Sequence, residues 1–354
     1  MGISLLIFSR NDTANALDLA KSLLGSVDQV VIVDSSDEKE HKELVEKARQ
    51  HHKIEVYYTL PLGYPDLLRA YGIGKCKMEW ILLLDTDERL NGEFVQNLKE
   101  VVKGTKCDAF AIKRYEEASP EGHTAFFTWQ TRLFKKANAE FKGIIHEQAI
   151  VHGRLCTLGD RYFIEHRTDL MHHGSNSYGK MQLFEMLSYK QYNEIVLDYV
   201  RKFFALDTNS AKSKIVQGLF RLILRLYEAL LFKKQEQEIS KRDYLWFYFV
   251  RTLAYGFRQR RLGSLAKIWK GQKDYFEYLE KERKKLAGQY GISRQDLFNI
   301  AQHLYKEGVI KYLGFDKPEN VDRLTHEYLE GRLKDKGIDL TIMLIVDRYK
   351  RQYL

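Results

Sequence analysis

The stretch that constrains this chain most is Glu79-Trp80-Ile81-Leu82-Leu83-Leu84-Asp85-Thr86-Asp87-Glu88. An apolar run from Trp80 to Leu84 ends in two carboxylates one residue apart. The run is too short for most helices and apolar on both faces, so it predicts a buried, parallel central strand. Ligands of open α/β sheets sit just beyond the carboxyl ends of such strands, which is where Asp85 and Asp87 emerge. Carboxylates there can hold a hard divalent cation, Mg²⁺ or Mn²⁺, and the cation can hold a diphosphate. The plainer reading is that the two acids cap a helix starting near Asn91.

The remainder of the sequence decides how far that strand can be generalised. A chain of 354 residues allows two domains, or one large domain with an appendage. A hydrophobic content of 44% excludes a disordered protein. Met1 leads directly into the strand-like Ile3–Phe8, so no signal peptide is expected, and no apolar run approaches the ~20 residues that span a bilayer. Cys76, Cys107 and Cys156 lack metal-ligand spacing and point to a reducing compartment, with a bonded pair left open. Only four prolines and many Lys, Glu and Arg hint at a thermophile.

In order, the chain predicts strands at Ile3–Phe8, Gln29–Val33 and Ile54–Thr59, alternating with helices at Ala14–Leu24, Glu38–His51 and Leu67–Cys76. A helix at Glu93–Val102 and strands at Ala109–Tyr115 and Thr128–Phe134 follow the Asp-x-Asp strand. Alternation of this kind implies βαβ units and a parallel sheet with a mixed extension. A dinucleotide fold wants Gly-x-Gly-x-x-Gly after the first strand, and Ser9-Arg10-Asn11-Asp12 has no glycine. The same absence tells against a nucleotidyltransferase. A phosphatase with an Asp-x-Asp nucleophile would carry it on the first strand.

Several pieces, in order, resemble the inverting glycosyltransferases of the GT-A fold, in the large family 2 group. Ile7-Phe8-Ser9-Arg10-Asn11-Asp12 is similar to that family's first-strand turn, and Val31-Ile32-Val33-Asp34-Ser35-Ser36 to its Val-Asp-Ser-Gly-Ser. Arg69-Ala70-Tyr71-Gly72-Ile73 matches its Arg-Asn-x-Gly helix in part. Trp80–Glu88 resembles its Trp-Ile-Leu-x-Leu-Asp-Ala-Asp-Glu. Thr131-Arg132-Leu133-Phe134 with Gly143-Ile144-Ile145-His146-Glu147 resembles its Arg-Leu-Phe … Gly-x-x-His-Glu, and Met171-His172-His173-Gly174 with Lys190-Gln191-Tyr192 a later His … Lys-x-x-Tyr stretch. The resemblance covers residues 1–200 and more faintly 240–280. It implies a Rossmann-like mixed sheet flanked by helices and transfer of a sugar from a UDP- or GDP-sugar.

The resemblance also implies roles. Asp87 is the expected primary ligand of Mn²⁺ or Mg²⁺ with Asp85 as its partner, and Asp85 also reaches the ribose. His173, or its neighbour His172, is a third ligand or a polar surface residue. Asp34 is expected to accept from the base or ribose, with Ser9, Asn11 and Arg69 completing the nucleotide site; ordinary turn chemistry is the alternative for Asp34. Glu147 is the expected general base, its alternative a surface salt bridge, and His146 shapes the pocket. Arg132 and Lys190 pair with phosphate or are solvated charges.

The C-terminal half has a different balance. Between Thr208 and Tyr290 stand 19 Lys/Arg against 8 Asp/Glu, and the remainder of the chain is close to neutral. That asymmetry predicts a boundary near residue 207, with a GT-A catalytic domain over 1–207 and a basic helical domain over 208–354. Ser210–Phe232 is a strongly apolar helix candidate, and Tyr244–Val250 an aromatic block followed by arginines. These fit a helical bundle with a wet charged face, or helices lying on an anionic membrane. Tail helices are expected around Arg294–Glu307, Val321–Lys334 and Leu340–Lys350. Wide apolar stripes suit lipid better than nucleic acid. The expected enzyme therefore sits peripherally on the cytoplasmic face of the cell membrane, and its acceptor is a lipid-linked glycan or a glycolipid. The alternative is a basic membrane- or nucleic-acid-binding protein on a degenerate transferase scaffold.

Overall fold

The computed structural model describes residues 2–116, 127–141, 149–167, 265–334 and 337–354. The expected boundary at residue 207, the apolar helix at Ser210–Phe232 and the aromatic block at Tyr244–Val250 lie outside these residues.

The α/β half opens with β1 (Ile3–Ser9), α1 (Thr13–Leu23), β2 (Gln29–Asp34), α2 (Glu38–Ala48), β3 (Ile54–Tyr58), α3 (Arg69–Lys75) and β4 (Trp80–Leu84). It continues with β5 (Glu88–Leu90), α4 (Gly92–Val102), β6 (Ala109–Glu116), β7 (Phe127–Lys135), β8 (Ala139–Glu140), β9 (Ile150–Val151), β10 (Leu155–Thr157) and β11 (Phe163–His166). The strands and helices read from the sequence up to β7 are all present, with ends shifted by a few residues. The short strands from β8 to β11 carried no comparable signal.

One large sheet runs β3-β2-β1-β4-β7-β6-β11-β5, with β10 added beside β6, and β8 and β9 pair separately. The β3-β2-β1-β4 half is parallel throughout. Beyond it β7 is antiparallel to both β4 and β6, which gives the mixed extension. Every residue of β2 and β4 is buried, as two-sided burial of a central strand requires. Leu17, Ala20 and Leu23 of α1 and Phe94, Leu98 and Val102 of α4 recur every three or four residues and are buried in the sheet's core. By contrast α2 buries only Leu44 and Ala48, and its wet face carries the i,i+4 pairs Glu38–Lys42 and Glu43–Lys47. Gly72 lets α3 lie close on the sheet: a Cβ there would stand 2.9 Å from Leu6 Cδ1 and 3.0 Å from Phe8 Cζ.

The strand order reverses between β1 and β4, since β2 and β3 lie on one side of β1 and the later strands beyond β4. That reversal is a topological switch point, and the crevice outside its carboxyl ends is the expected ligand position.

The chain divides into two compact units, residues 1–177 with 308–347 and residues 178–307 with 348–354. In the first, the helix Pro318–Leu329 and the start of Ile338–Tyr353 hold the α/β core through Tyr71 Oη to Asp322 (2.8 Å), Leu60 N to Thr325 Oγ1 (3.2 Å) and Thr341 Oγ1 to the Leu62 carbonyl (3.4 Å). Gly63 has φ +84° and meets the Ile338 backbone nitrogen at 2.8 Å from where a Cβ would be, so only glycine suits that junction. In the second, Leu265–Tyr290 packs against Arg294–Glu307, and Leu286 of the former and Leu297, Ile300 and Leu304 of the latter are buried. Ser293 and Asp296 close a reciprocal capping box at the start of the latter helix. Among the described residues no helix is long and apolar enough to cross a membrane.

The expectation of reduced cysteines is corrected: Cys107 and Cys156 form a disulfide, and Cys76 is free and buried. The parallel pairing of β10 with β6, which sets Cys156 beside Phe110, brings the two Cα atoms to 6.0 Å. Such bonds persist in oxidising compartments and in intracellular proteins of hyperthermophiles. The bond closes a 49-residue loop. Its reduction, or Cys156→Ser, is expected to lower stability by about 3 kcal/mol. Urea unfolding with and without reductant measures this, and superimposable transitions would contradict it.

Candidate active site

The site is built at the carboxyl ends of β1, β2 and β4. Ladder pairing sets Ser9 against Asp34, and Ile7 against Leu84, so Ser9 stands level with the turn that carries Asp85 and Asp87. Glu88 holds that turn: its carboxylate accepts from Asp85 N at 3.1 Å, and its own N–H donates to the Asp85 carbonyl at 3.0 Å.

Glu88 is fully buried. It is neutralised by Arg132 of β7, whose Nη2 lies 2.7 Å from Oε1, and by Arg114 of β6 at 3.2 Å. The same Arg132 Nη2 also donates to Asp85 Oδ2. Burial pushes the Asp85 carboxyl up, but Arg132, with Arg69 and Arg114 behind it, outweighs burial and holds it below the ordinary carboxylate range. The reverse holds for Arg132, where burial is outweighed by Asp85 and Glu88 and the guanidinium stays charged. Arg69 opens α3, is paired with Asp66 at 3.1 Å, and lies over the Phe141 ring at 5.1 Å.

Asp87 points elsewhere. Its Oδ2 lies 3.2 Å from Nε2 of His166, at the end of β11, and its carbonyl accepts from Arg167 N at 2.7 Å. The antiparallel pairing of β11 with β5, His166 opposite Glu88, creates this neighbour. No local signal marks His166 in the sequence, because the contact spans 79 residues.

The remaining predicted residues are at the first two strand ends. Among the described residues the buried Ser9 Oγ has no hydrogen-bond partner, and neither has Arg132 Nε. Asn11 takes the left-handed φ of +51° that asparagine tolerates. It stitches the two turns together: its N–H donates to Ser36 Oγ at 2.7 Å, and its amide exchanges bonds of 3.0 and 2.8 Å with Asp37. Asp34 is fully buried, accepting from Ser36 Oγ at 2.5 Å on Oδ1 and contacting His41 Nδ1 at 2.7 Å through Oδ2. The structure thus brings Ser9, Asn11, Asp34, Arg69, Asp85, Asp87 and Arg132 to one edge of the sheet. Glu147, His146, His173 and Lys190 lie outside the described residues.

A divalent cation at this turn would have to draw part of its coordination shell from a ligand phosphate and water. Asp87 supplies hard oxygen and His166 an imidazole nitrogen, while Asp85 is held by Arg132. Among the described residues no three His, Cys, Asp or Glu side chains are grouped to hold a metal by themselves. Mg²⁺-type sites are commonly of this kind, one or two carboxylates completed by substrate phosphate and water.

No family model matches the chain, and no curated protein does. Among solved structures, S. aureus TarS 1-349 is 13% identical over 87% of this chain and 92% of its own, with a TM-score of 0.42. The same protein in complex with UDP-GlcNAc is 15% identical over the same shares, with a TM-score of 0.43. The longer TarS structure is 13% identical, covers 80% of this chain and 55% of its own, and has a TM-score of 0.41. Likeness this distant assigns no activity, and the activity is argued from the chemistry of the site.

Proposed function

We propose that this protein is a metal-dependent glycosyltransferase that moves a sugar from a nucleoside-diphosphate sugar, UDP- or GDP-linked, with inversion at the anomeric carbon. The observation that carries the reading is the placement of Asp85 and Asp87 on the turn after β4, level with Ser9 at the switch point between β1 and β4, with His166 against the Asp87 carboxylate. Asp87 with His166 would hold Mn²⁺ or Mg²⁺, which supplies positive charge to a departing diphosphate when bound. Arg132 keeps Asp85 ionised and fixed, so the turn is set before a ligand arrives. Ser9 Oγ, buried and without a partner among the described residues, is a hydroxyl that a ligand atom can meet.

In the same reading Glu147 takes the proton of the acceptor hydroxyl, with His146 beside it, and Lys190 and Arg132 face phosphate, as the family resemblance implies. His173 is a further ligand on the same grounds. The acceptor is a lipid-borne glycan met at the inner membrane face. The sequence between Thr208 and Tyr290 supports this with its 19 basic against 8 acidic residues and the broad apolar faces of its helix candidates.

The test is turnover of UDP- and GDP-sugars with Mn²⁺, offered soluble glycan acceptors and glycolipids in anionic vesicles. Transfer is expected with one nucleotide and preferentially to the vesicle-borne acceptor. The variant Glu147→Gln should keep donor affinity and lose transfer. Absence of turnover with every donor would remove the transferase reading and leave a binding protein on a transferase-like scaffold. Equal transfer to soluble acceptors would remove the lipid assignment alone.

A further inference from the structure

Asp34 is placed where a nucleotide-binding carboxylate is expected, yet it has no exposed surface. Oδ1 is occupied by Ser36, through Oγ at 2.5 Å and N at 3.3 Å, and Oδ2 by His41 Nδ1 at 2.7 Å. A side chain closed off in this way cannot itself meet a ligand. It can fix another group, and His41 is the group it fixes. A carboxylate only accepts, so the Nδ1 facing it carries the proton, and in the neutral form of the imidazole that leaves Nε2 as the acceptor. That nitrogen has no hydrogen-bond partner among the described residues, and the His41 side chain keeps 24% of its surface exposed. The ring is held a second time by Tyr58, centroid to centroid at 4.4 Å, and the Tyr58 hydroxyl donates to the Ser36 carbonyl at 3.2 Å. Asp34, Ser36, His41 and Tyr58 therefore form one preset unit at the carboxyl ends of β2 and β3, next to Ser9.

We propose that His41 is the nucleoside-recognising residue of the site and that Asp34 is its positioning residue. The Nε2 acceptor takes a hydrogen bond from an N–H of the base or a hydroxyl of the ribose, with the Tyr58 ring flanking it. This assignment rests on the nucleotide-sugar reading above. It differs from direct contact by Asp34, and it assigns specificity to a side chain on α2 that no motif marks.

Two kinds of measurement test it, beginning with whichever of UDP and GDP binds the wild-type protein in the presence of Mn²⁺. Ligand analogues remove the donor from the ligand's side without touching the fold: the 2′-deoxy and 3′-deoxy nucleotides for the ribose, and the N3-methyl-uracil or N1-methyl-guanine nucleotide for the base. One of these should bind about 10-fold more weakly than its parent, the loss expected for one neutral hydrogen bond. His41→Phe should show the same ~10-fold loss for the parent and none further for that analogue, while inorganic pyrophosphate with Mn²⁺ binds as in the wild type. If every analogue binds wild type as its parent does, or if His41→Phe weakens pyrophosphate equally, the assignment to His41 fails while the transferase reading stands. If neither nucleotide binds at all, both fall together.

Discussion

Asp87→Asn is expected to reduce sugar transfer by about 10³-fold, the equivalent of about 4 kcal/mol of lost charge stabilisation on the departing diphosphate. The change keeps the size of the side chain and the backbone bond from Arg167 N to the Asp87 carbonyl, so the turn should survive. What it removes is the anionic oxygen beside His166 Nε2. Nucleotide binding should separate into two parts: the increment that Mn²⁺ adds to UDP or GDP affinity is lost, and the metal-free affinity is retained. Calorimetry with and without Mn²⁺ measures both independently of turnover. An unchanged Mn²⁺ increment would leave Asp87 as a structural partner of His166 alone, since α4 is entered through Asn91 and not through Asp87.

Arg132→Met is expected to destabilise the protein by about 4 kcal/mol. One guanidinium serves two carboxylates, and one of them, Glu88, is fully buried. Removing it leaves Glu88 with Arg114 at 3.2 Å and strips Asp85 of its closest partner. An incompletely compensated buried charge typically costs about 3–5 kcal/mol, whereas removal of both charges can be near neutral. The double variant Arg132→Met/Glu88→Gln should therefore recover most of the loss. The pH dependence has a defined sign. Because the Asp85 carboxyl is held below its ordinary value in the folded protein, its contribution is present above the unfolded value near 4 and fades as pH falls through the folded one. The gap between wild type and Arg132→Met should narrow in acid. Urea midpoints at pH 7 and pH 3 decide the matter, and a loss below about 1 kcal/mol at pH 7 would show that Glu88 does not depend on Arg132.

The parts of this architecture that the sequence announces are those specified locally. The Trp80–Leu84 run is a strand because it is short, apolar on both faces and ended by acids, and it is fully buried as that pattern demands. Asp34 and Ser9 are at strand ends for the same reason. What the sequence conceals depends on pairing between distant strands. His166 meets Asp87 only because β11 runs antiparallel to β5, and Arg132 meets Glu88 only because β7 folds back along β4. Glu88 reads as the last letter of a motif; only its burial reveals it as the fastener of the turn. Cys107 and Cys156 have unremarkable spacing until β10 aligns with β6. His41 sits in a helix whose other residues are mostly charged and wet, so its bond to Asp34 leaves no periodic trace.

The discontinuity of the α/β unit has a consequence for how the protein is made. Leu62, in the loop after β3, waits for Thr341, 279 residues later, to donate to its carbonyl. At translation rates of about 5–20 residues per second, that partner emerges between about 15 and 55 s after the loop itself. During this interval the nascent chain carries its Asp-x-Asp turn without the helix Pro318–Leu329 that buttresses Tyr71 and Leu60. A chain cut short before Pro318 thus carries every strand of the sheet but none of the groups that hold Tyr71, Leu60 and the Leu62 carbonyl.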